Sequence, residues 1–165
     1  MIVIVDYGMG NVGAIANMLR KCDADVLISS APCDIERADK IILPGVGAFD
    51  HGMQALRAQS LIPLLEHKVL QCKTPLLGIC LGLQLLTETS EEGRERGLGW
   101  LAAETKRFNF QASTQPCKIP HMGWNNVTFP RAAQADLCGL DAVSRYYFAH
   151  SYHVVCHHEP DVRIS

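Results

Sequence analysis

"MIVIVDYGMGNVGAIANMLRKCDADVLIS", residues Met1–Ser29, carries one full unit of an alternating architecture. "MIVIV" is β-branched and bounded by "DYGMGN", the pattern of a buried first strand and a turn. From Asn11 to Cys22, Val12, Ile15, Ala16 and Leu19 recur at helical spacing, which predicts an amphipathic helix. "ADVLIS" then returns to strand. A strand, a helix and a strand in succession predict parallel pairing under a right-handed crossover.

Outward from this unit the alternation continues. "KIILPGVG" is a third strand ending in a Pro-Gly turn. Helical stretches cover Phe49–Ala58 and Leu61–Cys72, with Pro63 in the first turn of the second. "PLLGI" is a fourth strand that runs into a helix at Leu81. The fold class expected is α/β: a doubly wound, mostly parallel, flavodoxin-like sheet flanked by helices. After about residue 98 the character changes. "GWLAAETKRF", "WNNVTF" and "RYYFAHSYHVV" are strand-like, with one short helical candidate at Gln134–Cys138 and an exposed loop at "FNFQASTQPCK". Mixed or antiparallel strands are expected there, in the same single domain spanning residues 1–165.

Composition narrows the classes of function. The chain has 165 residues, 48% apolar and 19% charged, with a net charge of −2. That is enough length to bury a core without staples, and too little charge for a general nucleic-acid or membrane-surface role. No apolar run reaches the roughly 18 to 20 residues of a membrane span. "MIVIVDYG" has neither the basic region nor the cleavage site of a signal peptide, so a cytoplasmic location is expected. The cysteines (Cys22, Cys33, Cys72, Cys80, Cys117, Cys138 and Cys156) are seven in number, with no C-x-x-C pair. Neither a zinc site nor a disulfide framework fits that spacing, and no metal or cofactor is expected.

Cys80 stands apart. In "TPLLGICLGLQLLTET", Thr74–Thr89, it lies between Gly78 and Gly82 where strand passes into helix. G-x-C-x-G at such a corner is the cysteine form of the nucleophile elbow. The sharp turn crowds the backbone, so glycine is favoured on each side. It presents the sulfur at the carboxyl edge of the sheet, where doubly wound folds bind ligands. It also sets the sulfur at a helix N-terminus, which favours thiolate. The Leu81 amide, next in the chain, then points at a developing oxyanion. The plainer reading is a buried cysteine in a turn loosened by glycines. A second loop, "LPGVGAF" at Leu43–Phe49, ends a parallel strand on the same edge, and its unshielded amides at Gly45 and Gly47 can supply a second oxyanion donor. An ordinary strand-to-helix turn explains it equally well when taken alone.

These residues resemble the class I (triad-type) glutamine amidotransferases. "PLLGICLGLQLL" matches their G-x-C-x-G-x-Q signature. Within that family the chain is similar over essentially its whole length to the glutaminase subunits of imidazole glycerol phosphate synthases. "VDYGMGN", "LPGVGAF", "SEEG", "PHMGWN" and "YFAHSY" carry that likeness. The resemblance implies that Cys80 is the nucleophile toward glutamine and that Gln84 helps hold the substrate. It implies an oxyanion hole from the Gly47 and Leu81 amides, Gly47 after a local peptide flip. Backbone around His150, Ser151 and Tyr152 is expected to bind the glutamine head group. Asn11, Met122 and Trp124 are expected to face a cyclase partner with a (β/α)₈ barrel, to which ammonia passes without release to solvent. A lone Trp ahead of a strand is otherwise commonly core.

A cysteine nucleophile needs a base and a carboxylate. In the family these come from a "FHPE"-like stretch beyond the "HSY" segment, and the triad His and Glu are not found in this sequence. "HHEP" has the same His-x-Glu spacing at His157 and Glu159, but it follows "HSYHVV" too closely and matches a polar surface loop. His150 is read as positioning and His121 as a residue of the docking loop. Met9 is read as either partner-facing or packed, and Glu91 and Glu92 as a solvated helix end. The sequence thus resembles a glutaminase short of roughly 30 to 40 residues, judged by ordinary element lengths. On that reading the 165-residue form is expected to hydrolyse no glutamine and to leave a sheet edge unpaired.

Three alternatives remain. The same elbow serves subunits that supply ammonia for amidination of surface-polysaccharide sugars. A catalytically dead docking module is a second possibility, and a cysteine-elbow hydrolase of peptidase type a third. Gln84 and "HSY" argue against the last.

Overall fold

Four short apolar strands pair in parallel to form the central sheet of the computed structural model, which describes residues 1–110, 118–127 and 145–158. They are β1 (Ile2–Val5), β2 (Val26–Ser29), β3 (Lys40–Leu43) and β4 (Leu76–Gly78). Their order is β2-β1-β3-β4, the flavodoxin-like arrangement, with its switch point between β1 and β3. The connections are α1 (Val12–Lys21), α2 (Pro32–Glu36), and the pair α3 (Phe49–Ala58) and α4 (Ile62–Glu66); α5 (Leu81–Gln84) follows β4.

Register decides which side chains meet which helices. Val3 pairs with Ile41 and Ile4 with Ile42, so alternate residues point to opposite faces. Val3, Val5, Ile41 and Leu43 enter the larger core, built with Phe49, Met53, Leu56, Leu61, Leu65 and Leu85. Ile4 and Ile42 meet Ala16 of α1 in a smaller one. Each side chain fully removed from water contributes about 1.5–3 kcal/mol, so the α3–α4 face carries most of the stability. Helix α1 starts where the Asn11 side chain accepts a hydrogen bond from the Ala14 amide at 3.0 Å. Arg20 and Lys21 in its last turn suit the negative end of the helix dipole.

The second half mixes parallel and antiparallel pairing, as expected. β5 (Thr89–Ser90) runs parallel to β6 (Ala103–Arg107), and β9 (Tyr152–Cys156) pairs antiparallel with β6. β7 (His121–Asn126) and β8 (Arg145–His150) form a separate antiparallel ribbon.

Several local expectations need correction. α2 occupies a stretch with no predicted helix. The helix expected through Cys72 leaves α-geometry at His67–Gln71, which forms a π turn. "PHMGWN" supplies most of β7 rather than a loop. "RYYFAHSYHVV" is two strands, because at Ser151 the chain leaves β7 and crosses to β6. The helical candidate at Gln134–Cys138 and residues 111–117 of the expected loop lie outside the described residues. Among the described residues, no helix is long and apolar enough to cross a membrane.

Candidate functional site

Parallel strands deliver their following loops to one edge, and three such loops meet there. After β4 the chain turns at Cys80 with φ 55° and ψ −115°. A non-glycine residue pays about 1–3 kcal/mol to hold such a conformation, which persists only where the surroundings enforce it. They do so by close approach. A Cβ on Gly82 would lie 1.8 Å from the Leu43 carbonyl oxygen, and one on Gly78 would lie 2.6 Å from the Leu83 Cα. The Ile79 amide donates to that same Leu43 oxygen at 3.0 Å. The elbow therefore lies directly on the end of β3, and Cys80 is exposed.

The loop after β3 closes against this turn. A Cβ on Gly45 would meet the Gly82 nitrogen at 2.8 Å and the Tyr7 hydroxyl at 2.9 Å. Tyr7, from the loop after β1, donates its hydroxyl proton to the Pro44 carbonyl at 2.5 Å. Burial holds its phenol well above the usual range, so it stays a donor at neutral pH. The sequence marks "DYGMGN" as a turn and as part of the family likeness, but nothing local in it assigns Tyr7 this support of the neighbouring loop. Gly47 has φ +118°, in the left-handed region, and is exposed. Its amide and that of Leu81 donate to no main-chain carbonyl among the described residues. Gln84 lies one turn along α5 from Cys80, half-buried.

Glu91 and Glu92 do not end a helix. Glu92 accepts from the Phe49 amide at 2.9 Å, and Glu91 from the Arg107 amide at 2.7 Å. Asp50 in return accepts from the Arg94 and Glu95 amides, each at 2.9 Å through Oδ1. Those bonds hold the Asp50 carboxyl below its ordinary range. The "SEEG" segment is thus clasped to the start of α3, two residues beyond Gly47.

His150, Ser151 and Tyr152 sit at the β8–β9 junction, and the structure records no hydrogen bond from them to the elbow. His150 Nδ1 donates to the Tyr152 carbonyl at 2.8 Å, and the Ser151 carbonyl accepts from Phe108 at 3.0 Å. His153 stacks on Phe108 with centroids 4.6 Å apart, and its buried Nδ1 has no hydrogen-bond partner among the described residues. Burial, then the neighbouring His150, pushes its pKa below the ordinary 6.5. His157 lies 3.9 Å from both Glu88 and Glu104; Glu159 is outside the described residues.

Met9 is buried beneath Gly47 rather than partner-facing. Met122 and Trp124 alternate outward on β7, 62% and 58% exposed, and Trp124 meets the exposed Tyr147 edge-on at 5.7 Å. Trp124 is thus not core. Asn11, besides capping α1, lines a shallow hollow of about 480 Å³ with Gly10, Val12, Gly13 and Val46.

Comparison with known proteins agrees with this geometry. The class-I glutamine amidotransferase family matches residues 3–164. The imidazole glycerol phosphate synthase subunit HisH 2 of Methanococcus maripaludis is 51% identical over 166 residues, 100% of this chain and 80% of the relative. HisH 2 of Pseudomonas aeruginosa is 45% identical over 165 residues, with the same shares covered. A solved glutamine amidotransferase shares the fold with a TM-score of 0.67 at 15% identity, over 94% of this chain and 74% of that one. Sequence along the whole chain and the course of its backbone lead to one assignment: this protein belongs to the class-I glutamine amidotransferases.

Proposed function

We propose that the chain is the glutaminase subunit of an imidazole glycerol phosphate synthase, acting in cytoplasmic histidine biosynthesis with a (β/α)₈-barrel cyclase. Cys80 is its nucleophile. The thiolate adds to the side-chain carbonyl carbon of glutamine, and the oxygen becomes an oxyanion facing the Leu81 and Gly47 amides. Collapse breaks the C–N bond, the nitrogen leaves as ammonia with the proton that the Cys80 thiol gave up, and a γ-glutamyl thioester remains. Water then adds to the thioester, giving glutamate and the free thiolate. Gln84 and the backbone of His150, Ser151 and Tyr152 hold the substrate's head group. The triad base and its carboxylate have no counterpart identified among the described residues, so the chain's own contribution is the nucleophile, the oxyanion donors and the substrate contacts. Asn11, Met122 and Trp124 form the face toward the cyclase, which receives the ammonia.

The observation that carries this reading is the strained, exposed Cys80 at the end of β4, pinned between glycines on the β3 loop. Its test is labelling with an electrophilic glutamine analogue, mapped by peptide mass spectrometry in the presence of the cyclase. One adduct on Cys80, suppressed by glutamine and absent in Cys80→Ser, is expected. Labelling that ignores glutamine, or falls on other cysteines alone, refutes it.

A further inference from the structure

At the other end of β4 from Cys80, ahead of the strand, a second thiol meets an imidazole. The π turn closes there with the Cys72 amide donating to the His67 carbonyl at 3.0 Å. In an α-helix, residues five apart lie about 140° around the axis and cannot meet. The wider turn brings Cys72 back over His67, with Sγ 3.5 Å from Nε2. On the far side of the ring, His67 Nδ1 is 2.9 Å from Gln71 Oε1. An amide oxygen only accepts, so Nδ1 carries the ring proton and Nε2 turns its lone pair to the thiol. Nucleophile, base and orienting group are in hydrogen-bond sequence, and all three residues are exposed.

We propose that Cys72, His67 and Gln71 form a modification site, at which a base-assisted thiol exchanges with low-molecular-weight disulfides. His67 Nε2 takes the proton from Sγ. The thiolate attacks one sulfur of the disulfide, an Sγ–S bond forms, and the reagent's own S–S bond breaks. The departing thiolate recovers the proton from the imidazolium. Cys72 is oxidised to a mixed disulfide while half of the reagent is reduced to a thiol, and a free thiol reverses the exchange. This site is separate from the proposed glutaminase chemistry and stands or falls without it.

The test uses the full chain in a Cys80→Ser background, which silences the elbow, with oxidised glutathione as the probe. Peptide mass spectrometry follows Cys72 beside Cys22 and Cys33, which are likewise exposed. Cys72 is expected to react on the order of ten- to a hundredfold faster than either. His67→Ala brings it down to their rate while leaving theirs unchanged, and Gln71→Ala lowers it several-fold. Thermal melts of both variants establish that the fold is intact. A Cys72 rate equal to those of Cys22 and Cys33, or one that survives His67→Ala in a folded protein, overturns the proposal.

Discussion

Gly82→Ala tests the geometry of the elbow most directly. The added Cβ would sit 1.8 Å from the Leu43 carbonyl oxygen and 2.7 Å from its carbon, whereas real Cβ contacts essentially never fall below 3.0 Å. Both colliding atoms are backbone, so no side chain can swing aside. The elbow has to move away from β3 by at least about 1.2 Å, the shortfall between those two distances. Overpacking of this kind costs about 1–3 kcal/mol, and losing the Ile79-to-Leu43 hydrogen bond adds about 1 kcal/mol. At about 2–4 °C per kcal/mol for a chain of this size, the melting temperature should fall by about 4–16 °C. A displacement near 1 Å also misaligns the nucleophile with its oxyanion donors, which costs on the order of a hundredfold in rate. Urea denaturation and glutamine-analogue labelling of Cys80 read the two effects separately. The control is Gly13→Ala in α1, where the nearest atom to the new Cβ is the Asn11 Oδ1 at 3.9 Å. There, alanine should stabilise by about 0.5–1 kcal/mol. If Gly82→Ala is as stable as the wild type and labels at the same rate, the account of the elbow given above is wrong.

The remaining tests probe other parts of the molecule. Cys80→Gly should be more stable than Cys80→Ala by about 1 kcal/mol in urea, because only alanine retains the left-handed strain; the reverse order would mean that no strain is held there. Tyr7→Phe strands the buried Pro44 carbonyl and should cost about 1–3 kcal/mol by the same measurement. Trp124→Ala should weaken association with the cyclase at least about thirtyfold in calorimetry while leaving the melting temperature unchanged. Below pH 6.5 the unfolded chain takes up a proton that folded His153 resists, so stability should decline as pH falls from there toward the lowered folded value. His153→Phe, which keeps the stack on Phe108, should flatten that decline between about pH 7.5 and about pH 5.5 in urea midpoints.

How much of this was legible in the sequence depends on the range of the forces involved. β1 to β4 were readable because each is a β-branched or leucine-rich run cut off by Gly, Pro or Asp, a signal contained in a few neighbouring residues. The elbow was readable for the same reason. α2 was not, since "PCDIE" is a single short turn with one buried apolar residue, Ile35, and so shows no period. The π turn was hidden because "HKVLQ" continues the polarity of α4, and only backbone bonding distinguishes the two geometries. Glu91 and Glu92 look like solvent-facing charge, yet their partners lie 16 and 43 residues away in the chain. No local pattern encodes such a partner. The break at Ser151 was invisible too, because β8 and β9 both read as strand, aromatic-rich and then β-branched, and only the partner each joins separates them.

The glycines of the "GICLG" motif also sort two physical demands that a motif search merges. Gly78 and Gly82 have ordinary backbone angles and are required by proximity, as the sub-3 Å contacts of a hypothetical Cβ show. The residue that does carry a positive φ is the cysteine itself, which cannot be exchanged for glycine without losing the sulfur. The strain is therefore confined to the one position where chemistry forbids its relief, and the surrounding loops are arranged to enforce it. Tyr7 fixes the β3 loop from beneath, Leu43 receives the Ile79 amide, and Glu92 and Asp50 clasp the segment that follows Gly47. Each restraint comes from a different element, so no single loop can relax the turn alone. A turn held this way keeps the sulfur's position fixed from several sides, so that the flip of the Gly47 peptide implied by the family likeness can take place without loosening the elbow.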